Sequence, residues 1–438
     1  MDKQTFGIFN IQNELVKNIP KILLNKVLLP DSQNILLKDG KIIRRKMREK
    51  DLLTAEEVKV QTPDGNPIIH YHKFIKRATG TQYLLAFTKA HIYHWNSPSL
   101  DLKWTNHNIT ATTISFTHNA ESADTITDSD AGFVTAGFVD GDKITVTGDS
   151  GNNGDYTIDT IVAATITLIA TNVLTTEDAG DSVTIVANCD NWETKSYNDK
   201  VIATNGIDFV IAWDTTGNFV ALDETTGIEY DTGKYLTKCK YLITYESYLI
   251  LGHTYEDGTW YPQRMRWNSI GEEANWLTGT KGSTEVGKAD FITGFGLYRG
   301  YLIVFKQTSH FKYWLVASTY IFNGAFISMT VGCQCGGSIV NDNKGRLYWY
   351  ASDGTIKEMS VGTISQPIQT EIIDKIYQSS IDLIKSKFID ETEETWWSIP
   401  FENTLNNKIV TLKEDEQGNR IWGQIDLAIP AFGEYYEA

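Results

Sequence analysis

Side chains two apart on a strand share a face, so His70-Tyr71-His72 would present two imidazoles together, with His91 and His94 close behind. Such a set could take zinc if further ligands arrived from another strand. No carboxylate or cysteine stands at a spacing that completes it, and ordinary strand histidines are the plainer reading. Cys333-Gln334-Cys335 is too tight for a zinc knuckle and has no second pair, so buried strand thiols are expected there. The turn Asp149-Ser150-Gly151-Asn152-Asn153-Gly154-Asp155 has some calcium-loop character. Its twelfth position is Thr160, where such a loop needs a bidentate Glu, and a plain β-turn is favoured.

Sugar hydrolysis would need two carboxylates flanking the scissile bond. The Ser-x-Asp-x-Gly-x-x-Trp blade motif of sialidases has one imperfect counterpart, Thr254-Tyr255-Glu256-Asp257-Gly258-Thr259-Trp260. No Gly-x-Ser-x-Gly elbow, phosphate-binding glycine loop or His-Glu-x-x-His occurs. No catalytic, cofactor-binding or metal-binding residue is therefore assigned. The remaining candidate is a basic run, Lys41, Arg44, Arg45, Lys46, Arg48 and Lys50, with Glu49 its one acid. A solvated face is its default; the functional alternative is contact with an acidic partner or with passing phosphates. No interleaved aromatics suggest base stacking.

The elements that position these residues are strands. The chain has 438 residues, 41% hydrophobic and 21% charged, with 34 glycines, nine prolines, 12 Trp and 21 Tyr, a composition for a packed core with many turns and aromatic sheet surfaces. Its net charge of −16 argues against a protein that coats DNA by neutralising phosphates, though not against one through which DNA passes. No apolar run approaches the roughly 20 residues of a membrane span. The start, Met1-Asp2-Lys3-Gln4-Thr5, lacks a secretory stretch, and four cysteines make no disulfide framework. Assembly in a reducing cytoplasm is expected.

The charge is concentrated. Residues 105–188 hold twelve acids against one lysine and none of the tryptophans, so this window carries −11 and the other 354 residues −5. Its Thr-rich alternation, as in Lys143-Ile144-Thr145-Val146-Thr147, and its turns Asp140-Gly141-Asp142 and Asn153-Gly154-Asp155 predict a small β-domain inserted into a host. Without it the host repeats. The second strand of successive groups starts near 83, 208, 248, 301, 346 and 394. The first gap is 41 once the insert is removed, and the rest are 40, 53, 45 and 48. Three or four strands per 40 to 50 residues predict a mainly β chain, a propeller of about six blades with a few short helices. A stack of antiparallel sandwiches would share the spacing. The expected organisation is thus 1–60 as a helical and strand segment closing the ring, 61–104 with 189–438 as propeller, and 105–188 as the insert. Helical periodicity marks Gln12–Leu29 and Thr370–Phe388, and Lys41-Ile42-Ile43-Arg44 is expected to complete the last blade.

Arg264-Met265-Arg266-Trp267-Asn268-Ser269-Ile270-Gly271 is followed by Asn275-Trp276, then Ile292-Thr293-Gly294 and Tyr301-Leu302-Ile303-Val304-Phe305-Lys306. These residues resemble the nozzle or tail-hub proteins of short-tailed bacteriophages, the group of tail tubular protein B and the packaged-DNA stabilisation proteins. Asn25–Arg45, with Asp39-Gly40 leading into Lys41–Arg45, fits the opening of such chains. Phe133–Asp142 and Asn153–Ile158 are similar to a small β-module of phage virion proteins. The resemblance implies a structural, non-enzymatic virion subunit that forms a hexameric ring at the far end of the tail. It further implies a portal-side adaptor and distal tail or fibre proteins as partners, non-specific passage of double-stranded DNA, and no cofactor. A receptor- or glycan-binding propeller, with or without depolymerase activity, is the alternative.

Overall fold

In the computed structural model the described residues are 66–432, with gaps at 90, 95–107, 190, 224–226, 288–289, 317–320, 360–361, 365–371 and 416. A backbone hairpin of β1 (Ile35–Lys38) and β2 (Lys41–Arg44) is also described. The chain is nearly all β, and six small antiparallel sheets make it a six-bladed β-propeller. By their contacts the residues divide into two compact units: Thr62–Lys240 with Tyr255–Gly258, and Met1–Gln61 with Tyr241–Thr254 and Thr259–Ala438.

In the first unit, sheet one has β3 (His70–Ile75), β4 (Gln82–Phe87) and β5 (Ile92–His94). The insert follows with β6 (Asn108–Ala111), β7 (Ile114–Thr117), β8 (Thr125–Asp128), β9 (Lys143–Thr147), β10 (Gly154–Val162), β11 (Thr165–Leu168) and β12 (Val183–Asn188). These make one seven-stranded sheet in the order β6-β12-β9-β10-β11-β8-β7. Alternation along each strand sends Ile114, Phe116, Ile126, Ile144, Val146, Ile158, Ile166 and Ile185 into a core of the insert's own. The turn after β9 depends on Gly148, at φ +91°, where a Cβ would sit 2.2 Å from the Ser182 carbonyl oxygen. Sheet two is β13 (Glu193–Tyr197), β14 (Lys200–Thr204), β15 (Ile211–Trp213) and β16 (Val220–Ala221). It shares a core with sheet one through Phe74, Phe87, Trp192, Val201, Trp213 and Phe219.

Sheet three runs β17 (Ile228–Asp231), β18 (Lys234–Tyr245), β19 (Tyr248–Glu256), β20 (Thr259–Trp267) and β21 (Gly282–Glu285). Sheet four is β22 (Ile292–Tyr298), β23 (Tyr301–Lys306), β24 (His310–Leu315) and β25 (Phe322–Ser328). Sheet five is β26 (Val340–Asn341), β27 (Leu347–Tyr350), β28 (Ile356–Glu358) and β29 (Gly362–Thr363). Sheet six is β30 (Lys385–Ile389), β31 (Glu394–Ile399), β32 (Lys408–Glu414) and β33 (Arg420–Ile425). Within the second unit, consecutive sheets bury faces against each other. Ile250, Met265, Leu302 and Val304 join three to four, and Phe305, Leu347 and Trp349 join four to five. Tyr348, Tyr350, Trp397 and Trp422 join five to six.

Two expectations need revision or placement. Thr370–Phe388 is not one helix: it forms 3-10 turns at Ile373–Lys375 and Gln378–Leu383, then enters β30. Ser380 has φ −121°, which breaks the helical path, while Ile372, Ile373, Ile376, Ile381 and Ile384 still point into the core. Gln12–Leu29 and most of residues 1–60 lie outside the described residues. Within what is described, β2 pairs with β1, and sheet six has four strands of its own.

Candidate functional site

Of the four histidines, His70 and His72 share a set of partners, and these are hydroxyls. His70 Nε2 lies 2.7 Å from Thr194 Oγ1. His72 Nδ1 lies 2.8 Å from the same oxygen, and its Nε2 lies 2.9 Å from Ser196 Oγ. Alternation on β3 and β13 produces this ladder across two neighbouring sheets. Burial, helped by the Lys195 charge, pushes His72 down to about 3, so it stays neutral. His94 packs 5.2 Å from Tyr83, and burial lowers its pKa. Among the described residues, none of the four histidines belongs to a group of three metal-ligating side chains.

The cysteines are free and buried. Cys333 Sγ donates to the Cys335 carbonyl at 3.1 Å, and Cys335 Sγ to the Ile384 carbonyl at 3.4 Å. Burial drives these thiols up to about 12 and about 11, which leaves them unreactive as nucleophiles. The sialidase-like stretch is a hairpin turn between β19 and β20. Asp257 there accepts the Tyr235 amide at 2.8 Å and the Tyr230 hydroxyl at 2.6 Å. Of the basic run, Lys41 and Arg44 sit on β2 by their backbone, while Arg45, Lys46, Arg48 and Lys50 lie outside the described residues.

The turn at Asp149–Asp155 holds the one acidic group of metal-ligand type among the described residues, Asp149 with Glu177 and Asp181. Its partners come from the segment between β11 and β12, not from Thr160. A separation of 28 residues between Asp149 and Glu177 leaves no local spacing for a reader of the sequence to find. Asp149 is buried and closes its own turn, accepting the Gly151 amide at 3.0 Å and the Asn152 amide. Burial would raise its pKa, but the hydrogen bond with Glu177 and the turn amides bring it below the usual carboxylate range. That same contact raises Glu177.

Among the described residues, a dense charged cluster spans sheets five and six. Asp342 accepts the Lys344 and Arg346 amides at 2.9 Å each, the Arg346 guanidinium at 2.5 Å and the Tyr348 hydroxyl at 3.2 Å. Glu414, at the end of β32, takes Lys344 at 3.1 Å, Arg420 at 3.2 Å and Arg346. Arg420 also pairs with Glu358. Three acids meet three bases, so the cluster is neutral. Burial works against the Glu414 charge, yet Lys344 and Arg346 hold its pKa below normal. A glycosidase needs one carboxyl kept protonated and another open to the sugar. Here every carboxylate is engaged by a base, and the arrangement fastens one sheet to the next.

The residues that carry the phage resemblance are also framework. Asn268 is fully buried; its Oδ1 accepts the Leu249 amide at 2.7 Å and its Nδ2 donates to the Glu272 carbonyl at 2.8 Å. Trp267 and Trp276 donate their indole N–H groups to the Thr280 and Glu273 carbonyls, at 3.1 and 2.7 Å. A shallow depression of about 140 Å³, lined by Phe209, Leu222, Ile228 and Leu236 among others, is too small for a sugar ring. One aromatic cluster does reach the surface: Trp260 and Phe291, 38% and 39% exposed, flank His253 at 5.3 and 6.1 Å.

No protein-family model matches the chain, and neither does any curated protein. Similar solved structures include Hsv2 of Kluyveromyces lactis, 10% identical, covering 82% of this chain and 98% of that one with a TM-score of 0.34. The phage phi92 endosialidase is 12% identical over 65% of this chain, which spans 52% of that protein, with a TM-score of 0.24. The GH43 β1,3-galactosidase BT3683 is 10% identical over 55% of this chain and 95% of its own, with a TM-score of 0.27. These are likenesses of fold, and no residue's role is carried over from them.

Proposed function

We propose that this propeller is a structural, non-catalytic subunit of a short-tailed phage virion. It would form the nozzle or hub ring at the distal end of the tail, joined to a portal-side adaptor and to distal tail or fibre proteins. The observation that carries this reading is the placement of the residues behind the resemblance. Arg266, Trp267, Asn268 and Trp276 are all buried, and the last three tie β19 and β20 to the loop that follows. A match resting on such residues is a match of architecture. The neutral cluster of Asp342, Glu358 and Glu414 with Lys344, Arg346 and Arg420 agrees with it, since its carboxylates serve cohesion. A host charge near −5 suits a conduit that must let a duplex slide, because each phosphate neutralised would tighten binding through counterion release.

The second reading is a receptor- or glycan-binding propeller. Exposed Trp260 and Phe291 favour it, as flat apolar faces beside a polar surface suit the C–H side of a sugar. The two are separated by imaging the purified full-length protein and assaying host capsule for reducing sugar. Closed rings without sugar release are expected. Monomers that bind glycan, and lose it on Trp260→Ala, would replace the first reading with the second.

A further inference from the structure

The last strand of each sheet is an edge, and an edge with free backbone groups invites pairing unless it is short, charged or bulged. Among the described residues, five of the six are short or carry a charged pair. β5 has three residues, β16 and β29 two each. β21 ends in Glu285, paired with Arg264 at 2.6 Å, and β33 opens with Arg420, paired with Glu358. β25 is neither short nor charged; a bulge at Ile327, between the His310–Ser328 and Phe311–Phe326 pairs, interrupts its backbone ladder and leaves its apolar side chains as the surface it offers. It is seven residues long, Phe322-Asn323-Gly324-Ala325-Phe326-Ile327-Ser328, without charge or proline. Phe326 is 66% exposed, and Ile327 and the following Met329 are exposed as well. Phe326 and Ile327 are both exposed at the bulge, so the far half of the strand presents apolar side chains to solvent.

The surrounding sequence sharpens this. From Tyr313 to Asn341 there is no acidic, basic or histidine residue, in a chain that is 21% charged. We infer that β25 is the surface through which one copy of this chain meets the next, a proposal that rests on the ring reading above. Charge selects the occupant. Two copies at −16 each repel over most of their surfaces, and the repulsion is least where neither presents a charge. A basic partner would be drawn to the insert at −11, and an acidic one would gain nothing from β25. The cores of protein interfaces are depleted in charge and enriched in aromatic residues and Met, which is the composition from Phe322 to Met329. In a ring the contact is head to tail, so the edge of one subunit meets a different surface of the next.

The test is sedimentation velocity on the full chain across a concentration series, for the wild type, Phe326→Lys/Ile327→Lys, and Val220→Lys on the guarded edge β16, where Val220 is 63% exposed. We expect the wild type and Val220→Lys to assemble alike, and the double variant to need at least about tenfold more protein for half-assembly. Near-ultraviolet circular dichroism checks that the variants are folded. If the double variant loses its signal, Met329→Lys, beyond the strand, is read by the same rule. A wild type that assembles alongside a folded variant that assembles equally well overturns β25 as the interface and leaves the ring reading intact. A wild type that stays monomeric throughout overturns both.

Discussion

The insert and the propeller sheets solve the same problem, a charged group inside a β-fold, in opposite ways. In the insert, buried carboxylates are satisfied by backbone amides and hydroxyls. Asp124 takes the Asn119 amide at 2.7 Å and the Leu174 amide at 2.6 Å, and Asp128 takes the Thr113 hydroxyl at 2.6 Å and the Gly132 amide at 2.8 Å. In sheets five and six the carboxylates are matched with guanidinium and ammonium groups, and the core beside them is filled by Trp397 and Trp422. The insert holds these carboxylates chiefly with amides and hydroxyls, joined at Asp124 by His118. The host needs both partners and large aromatic volume. The contrast teaches that −11 in a small domain is partly a fastening system and not simply a surface property.

The largest effect should break the host side. Trp397 is fully buried, donates to the Ser338 carbonyl at 3.1 Å and packs edge-on to Tyr348 and against Trp422. Trp397→Ala should cost about 3–5 kcal/mol in chemical denaturation followed by tryptophan fluorescence. The insert, with no tryptophan, should be silent in that signal and visible only by far-ultraviolet circular dichroism.

Next comes the insert. Asp124→Ala strands one buried and one half-buried amide and should cost about 2–4 kcal/mol. Acid should act at the same points. Hydrogen bonds from Asn119, His118 and Leu174 outweigh burial and depress the Asp124 pKa, and similar bonds depress Asp128. A carboxyl depressed in the folded state stabilises above its unfolded pKa near 4 and loses that contribution as the pH falls through the folded value. The insert should therefore loosen below about pH 4. Sheets one and two should weaken earlier, because His72 is held neutral down to about 3 while its unfolded form takes a proton near 6.5. His72→Gln should remove that slope and leave the insert's acid transition in place.

The smallest effect concerns the rim of the ion cluster. Lys344 has a side chain 56% exposed, so Lys344→Ala should cost less than about 1 kcal/mol and vanish in high salt. A larger loss would mean that the cluster acts as one unit.

Much of the fold is legible in the sequence because aromatic and β-branched runs recur at blade spacing. Tyr301–Lys306, Glu394–Ile399 and Lys408–Glu414 fall where the pattern puts them. β13 escapes, since Glu-Thr-Lys-Ser-Tyr has no apolar run to announce it, and its Thr194 and Ser196 matter only through the histidines opposite. Thr370–Phe388 shows the limit of periodicity: isoleucines at helical spacing can equally fill a core from successive 3-10 turns. The approach of Glu177 and Asp181 to Asp149 is illegible, because β10 and β11 intervene in the chain. So is the neutral cluster, whose members run from Asp342 to Arg420 and meet only when two sheets pack.

Asn268 holds two backbone groups with one amide, and no other side chain of its size offers both an acceptor and a donor in that geometry. A rivet of this sort tolerates little drift, whatever the surface around it comes to recognise. The chain's dealings with other molecules would then have to be sought on faces less tightly held.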